Sequence, residues 1–134
     1  MLHGGCLCGA IRWEIDGDFD EMSHCHCSAC RKSHGSAFST YGRAPKQSFR
    51  FSQGEERLRR YRSSPPVERC FCSICGSNLL FLFDGLPEVV WVTVGSCDGD
   101  PVRRPQAHIF VGSKAGWFDI TDALPQYPEY PPHP

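Results

Sequence analysis

The residues best able to do chemistry in this 134-residue chain are its nine cysteines, and they are clustered. They fall into Cys6-Leu7-Cys8, Cys25-His26-Cys27-Ser28-Ala29-Cys30, Cys70-Phe71-Cys72-Ser73-Ile74-Cys75, and Cys97 alone. The second and third groups share the pattern C-x-C-S-x-C. An odd count cannot pair off completely into disulfides. The amino terminus, MLHGGCLCGA, has no basic segment followed by the long apolar one that directs secretion. Reduced thiols in a cytoplasmic setting are therefore expected, where clustered cysteines bind metal or do chemistry. Zinc is the natural partner: four thiolates close a tetrahedral structural site, whereas three protein ligands leave a position for water or substrate.

A glycine just after the second cysteine of a pair eases the tight turn that wraps a metal, and both Cys6-Leu7-Cys8-Gly9 and Cys72-Ser73-Ile74-Cys75-Gly76 have one. The simplest closed site joins Cys6 and Cys8 to Cys72 and Cys75 as a structural zinc. It links segments more than sixty residues apart, and structural zinc contributes about 10–16 kcal/mol of apparent binding energy in small zinc-finger peptides. Cys25, Cys27 and Cys30 have no fourth cysteine. Spacing leaves three arrangements for them: an open zinc site, a site closed by His24, His26 or His34, or a metal-free redox pair. The last lacks the βαβ surroundings such pairs usually have. An open site held by three thiolates lowers the pKa of a bound water or thiol, so that a nucleophile exists at neutral pH. Arg31 and Lys32 follow directly and would favour thiolates and attract an anionic substrate. His26 and His34 are candidate proton shuttles. Cys70 reads as a core or peripheral thiol, and Cys97 as a small buried residue.

The elements that must hold these groups are short, because 13 glycines and 11 prolines punctuate the chain. Alternating or continuous apolar runs predict strands over 10–15, 36–41, 48–51, 58–61, 79–83, 89–94 and 108–111. One short helix is expected at 28–32, with Ser28 as its cap. The last ten residues hold five prolines, Pro125, Pro128, Pro131, Pro132 and Pro134. They predict a tail lying on the surface or disordered. A chain of this length makes one domain. Its net charge of −1 and pI near 6.6 argue against nucleic acid as a partner. No apolar run approaches the roughly 18 residues of a membrane span. Residues 43–69 concentrate eight of the fourteen basic residues against three acids. Arg57, Arg59, Arg60 and Arg62 read as a solvated strand face, with an anion-binding strip as the rival reading.

Three ordered cysteine motifs with their flanks resemble the glutathione-dependent formaldehyde-activating enzyme family, also called the centromere-protein-V-like domain. They are His3-Gly4-Gly5-Cys6-Leu7-Cys8-Gly9-Ala10, Cys25-His26-Cys27-Ser28-Ala29-Cys30-Arg31-Lys32 and Phe71-Cys72-Ser73-Ile74-Cys75-Gly76-Ser77. Val92-Thr93-Val94-Gly95, His108-Ile109-Phe110-Val111 and Trp117 fit as well. The resemblance implies a mainly-β, β-tent zinc domain over residues 3–125, followed by a proline-rich tail over 126–134. It implies two zinc ions per chain: a structural one on Cys6, Cys8, Cys72 and Cys75, and a labile, catalytic-type one on Cys25, Cys27 and Cys30. It implies carbon–sulfur lyase chemistry, with glutathione as co-substrate and a thiol–aldehyde adduct such as S-hydroxymethylglutathione. Arg31, Lys32, Arg43 and the 57–62 strip could supply cations for glutathione's two carboxylates. The alternative is a non-catalytic zinc-binding, thiol-sensing or interaction module of the same fold.

Overall fold

The computed structural model describes residues 1–132. Among these the chain forms β1 (Leu2–Gly5), β2 (Arg12–Ile15), β3 (Glu21–Cys25), α1 (Ser28–His34), β4 (Ser39–Pro45), β5 (Phe49–Gln53), β6 (Leu58–Ser64), β7 (Val67–Cys72), β8 (Asn78–Phe83), β9 (Val89–Thr93) and β10 (His108–Ile109). The fold is mainly β. A three-stranded sheet runs β1-β2-β5, and a seven-stranded sheet runs β10-β3-β4-β9-β8-β7-β6, antiparallel except where β10 lies parallel to β3.

Strand alternation decides which residues meet. Across the seven-stranded sheet the aligned positions Met22, Gly42, Val92, Leu80 and Cys70 make one row, and its side chains belong to the core. Trp13 and Ile15 of β2 are fully buried from the other sheet and, with Ile11, complete the interior. Each such side chain contributes about 1.5–3 kcal/mol by leaving water. On the opposite face of the large sheet the neighbouring row reads Arg43, Trp91, Phe81 and Arg69. There Phe81 stacks on Trp91 at 4.9 Å, and Tyr41 meets Phe81 edge-on at 4.7 Å.

All seven expected strand regions hold a strand, though boundaries move. The stretch expected as 36–41 begins at Ser39 and continues to Pro45. β1, β3 and β7 were not anticipated, for a common reason: Leu-His-Gly-Gly, Glu-Met-Ser-His-Cys and Val-Glu-Arg-Cys-Phe-Cys carry few β-branched residues and take their strand geometry from partners. The helix is longer than expected and its cap differs. Cys27, in extended geometry, caps α1 by accepting the Cys30 N–H on its sulfur at 3.3 Å, and Ser28 is the first helical residue. The proline-rich segment is tied down from Pro125 to Glu129 by backbone bonds to the chain around β10. Residues 133–134 of the expected tail lie outside the described residues.

Candidate metal centres

The sulfurs of Cys6, Cys8, Cys72 and Cys75 lie within 4.8 Å of one another. Cys6 Sγ is 3.6 Å from Cys8 Sγ, which is 3.9 Å from Cys72 Sγ. Four thiolates at a Zn–S distance of about 2.3 Å around a tetrahedral ion stand about 3.8 Å apart, so this set fits zinc. The two turns that deliver them are alike. Gly9 donates its N–H to Cys6 O at 3.1 Å with φ 82°, and Gly76 donates to Cys72 O at 2.9 Å with φ 77°. A side chain at either position would be strained. Backbone N–H groups point at the sulfurs, Ile11 at Cys6 (3.3 Å) and Ile74 at Cys72 (3.4 Å). The Ser77 hydroxyl, 3.1 Å from Cys75 Sγ, leads the interactions that bring that thiol down to about 5.

Cys25, Cys27 and Cys30 form the second cluster, their sulfurs also within 4.8 Å of one another. Cys25 ends β3, Cys27 caps α1, and Cys30 sits one turn into that helix, buried. Cys27 is the thiolate end of the group. Hydrogen bonds from Cys25 and then Cys30 hold its thiol far below the ordinary value, helped by the Cys30 N–H and the charge of Arg69. Cys25 is pushed up by the same sharing. The buried Ser39 hydroxyl, opposite Cys25 in the β3–β4 pairing, has no hydrogen-bond partner among the described residues. Three soft donors around a polar orphan suit a thiophilic cation such as zinc, and no fourth His, Cys, Asp or Glu of the described residues joins them.

A cleft of about 670 Å³ is lined by Cys6 and Leu7 of the four-sulfur group and by Asn78, Thr93, His34 and Ser39, but by no cysteine of the triad. The sequence profile of glutathione-dependent formaldehyde-activating enzymes matches residues 1–113. The chain belongs to this family. A protein of Schizosaccharomyces pombe described as an uncharacterized lyase is 35% identical over 120 residues, 90% of this chain and 85% of that protein. A Halomonas elongata protein, provisionally named a glutathione-dependent formaldehyde-activating enzyme, is 29% identical over 127 residues, 90% of this chain and 81% of its own. The crystal structure of a Rhodobacter sphaeroides protein superposes with a TM-score of 0.63 at 27% identity, covering 75% of this chain and 92% of that one.

In this formaldehyde-activating-enzyme domain the histidines near the triad are all otherwise engaged. His24 Nδ1 is 2.7 Å from Thr40 Oγ1. His34 Nε2 is 2.8 Å from the Tyr41 hydroxyl. His26 is fully buried, its Nε2 2.8 Å from His108 Nδ1, and His108 Nε2 is 2.9 Å from Asp122 Oδ2. Because His24 and His26 alternate with Cys25, their rings lie on the other side of β3, among Phe38, His108 and Phe118. Burial first, and then the neighbouring His108, lower His26 to about 4. The geometry therefore does not bring His26 to the sulfurs as a shuttle.

Among the anticipated cations, Arg43 is tied to Asp20 at 2.8 Å and Glu21 at 3.1 Å. Arg60 and Arg62 pair with Glu68, and Arg62 also with Asp84. Half of the strip is thus ion-paired on its strand face, while Arg57 and Arg59 are exposed. Arg31 keeps a buried, unpartnered Nε, and Lys32 is exposed. The cation that does reach the triad is Arg69 of β7, which the sequence reading passed over as part of the basic run. Its guanidinium is 3.7 Å from Cys30 Sγ, 3.4 Å from the Tyr41 hydroxyl and 3.1 Å from Ser63 Oγ, and it lies over Phe81 at 5.8 Å. A fixed positive charge favours thiolate over thiol. Arg69→Met, which keeps the stem and removes the charge, should therefore weaken metal retention at the triad about tenfold while leaving the four-sulfur site intact. Chelator competition that resolves two metals measures this, and unchanged release from the weaker site contradicts it.

Proposed function

We propose that this chain is a zinc-dependent enzyme of the carbon–sulfur lyase type, acting on a thiol–aldehyde adduct such as S-hydroxymethylglutathione, with structural zinc on Cys6, Cys8, Cys72 and Cys75 and a labile zinc on Cys25, Cys27 and Cys30. The observation that carries the reading is the three-sulfur group with no fourth ligand among the described residues, set against an aromatic and cationic wall. In the synthetic direction the thiol sulfur bonds to the aldehyde carbon, and the proton the thiol gives up ends on the aldehyde oxygen. The reverse step breaks the same carbon–sulfur bond. A zinc ion held by three thiolates supplies an open position at which a thiol is acidified or an aldehyde oxygen polarised.

The chain's own residues then bind and orient. Arg69 offsets the negative charge of the sulfurs, and Tyr41, bonded between His34 and Arg69, fixes that guanidinium in place. Burial pushes the Tyr41 hydroxyl up, so it stays protonated at neutral pH. The cleft has the volume of a small-molecule site, but neither Arg31 nor Lys32, the expected contacts for glutathione's carboxylates, lines it. A cytoplasmic setting would keep both cysteine sets reduced. No helix of the described residues is long and apolar enough to cross a membrane.

Metal analysis of the purified protein followed by titration with glutathione tests this reading. Two zinc ions per chain are expected, one held weakly and perturbed by the thiol. One tight zinc and no response to glutathione would overturn it.

A further inference from the structure

Five hydroxyl-bearing side chains line the cleft, and four of them have partners within the chain. Thr40 Oγ1 is 2.7 Å from His24 Nδ1, and Ser77 Oγ accepts the Leu7 N–H at 3.0 Å. Thr93 donates to Asn78 O at 2.9 Å, and Ser96 donates to Thr93 O at 2.7 Å. The fifth is Ser39. It is only 3% exposed, and its hydroxyl has no hydrogen-bond partner among the described residues. A buried hydroxyl left unpaired destabilises a fold, so its place in the wall of a cavity calls for a partner from outside the chain.

Ser39 also joins the cleft to the triad. It begins β4 and stands directly opposite Cys25, the last residue of β3, in an antiparallel pair. Side chains of such a pair leave the sheet on the same side, with Cβ atoms about 4.5–5.5 Å apart. Tyr41, two residues further on, shares that side of β4. Its hydroxyl is 3.4 Å from the Arg69 guanidinium, which is itself 3.7 Å from Cys30 Sγ. The face of β4 that carries Ser39 is therefore the face turned to the sulfurs. Ser39 is at once a wall of the cleft and the cross-strand neighbour of a triad cysteine.

The geometry points to Ser39 as the residue that distinguishes a thiol–aldehyde adduct from a free thiol, its hydroxyl donating a hydrogen bond to the adduct's oxygen while the adduct's sulfur is turned to the triad. Such an adduct carries its sulfur and its hydroxyl on one carbon. A ligand whose sulfur meets the three soft donors thus presents its oxygen to a group beside them, whereas a free thiol has no oxygen there. The inference rests on the thiol–aldehyde reading of the three-sulfur site and adds to it a substrate contact outside the cysteine motifs. Ser39 would act on the bound adduct without holding the metal.

Calorimetric titration of the zinc-loaded protein tests it, first with glutathione and then with S-hydroxymethylglutathione formed beforehand from glutathione and formaldehyde. Zinc content and thermal midpoint are measured on the same samples. Ser39→Ala removes only an unpaired buried hydroxyl, so it should keep both zinc ions and melt at or above the wild-type temperature. It should bind glutathione as wild type does and lose about tenfold in affinity for the adduct, the worth of one hydrogen bond to a polarised oxygen. Unchanged affinity for the adduct overturns the role of Ser39 and leaves the thiol reading standing. An equal loss for both ligands overturns it too, since the substitution would then have changed the shape of the cleft. Loss of zinc or of the cooperative melt does the same, because the hydroxyl would be supporting the sulfurs and not their ligand. Failure of wild type to bind either ligand overturns the thiol reading and this inference with it.

Discussion

Replacing Cys72 by serine should unfold the domain. Cys72 is fully buried at the end of β7, one of four sulfurs spaced as a tetrahedral zinc requires, and its sulfur accepts the N–H of Ile74. A structural zinc contributes about 10–16 kcal/mol of apparent binding energy in small peptides. A whole domain is stable by only about 5–15 kcal/mol. Losing most of the first term is comparable to the whole of the second. The site also joins the segment before β2 to the β7–β8 turn, so its loss removes a cross-link between the two sheets. Circular dichroism should show lost strand signal and no cooperative melt, and metal analysis should show the tight zinc gone. Removing that zinc from wild type with a strong chelator should do the same. A Cys72→Ser protein that melts cooperatively near the wild-type temperature would mean that the four-sulfur site is not structural.

Cys27→Ser has the opposite signature: the fold survives and the chemistry goes. Cys27 does two jobs, as a member of the triad and as the cap of α1, where its sulfur accepts the Cys30 N–H. Serine is among the best N-cap residues, so the hydroxyl takes over the second job. It cannot take over the first, because two thiolates and a hydroxyl hold a soft cation far less tightly than three thiolates. Outer-shell changes at metal sites already cost about 10–100-fold in affinity or activity, and loss of a direct ligand should exceed about a hundredfold. The expected protein binds one zinc per chain, melts within a few degrees of wild type, and has kcat/KM for the thiol–aldehyde reaction near background. If Cys27→Ser unfolds as Cys72→Ser does, the division of labour between the two clusters is wrong.

Membership of both sulfur clusters was legible in the chain because it depends on local spacing and trailing glycines: a C-x-C or C-x-x-C turn delivers its sulfurs whatever the rest of the fold does. The seven expected strands were legible for a similar reason, as short apolar runs between breakers. What surrounds the triad was not, since it is set by cross-strand alignment. Arg69 reaches Cys30 only because β7 and β8 place it beside Phe81, while its equally basic neighbours Arg60 and Arg62 pair with Glu68. In the sequence the three look alike. The anchoring of the proline-rich segment was hidden by composition: five prolines suggest a loose tail, and nothing local reveals that the carbonyls of Pro125, Tyr127, Pro128 and Glu129 would find donors at His108, Val111, Gly112 and Phe110. His26 looked suited to proton transfer because it sits between two cysteines, but neighbours in a strand point apart.

That last geometry bears on how the site can evolve. Cys25 and the two histidines beside it belong to one extended stretch, and which of them face the sulfur side is fixed by the pairing of β3 with β4 on one edge and β10 on the other. Deleting or inserting a single residue there would slip the pairing by one and turn the imidazoles toward the position now held by thiols, exchanging a soft donor set for a harder one without changing a single side chain's identity. Length in this segment is thus under tighter constraint than composition. The donor set offered to a metal there would depend on the count of residues from Glu21 to Cys25 as much as on the cysteines themselves.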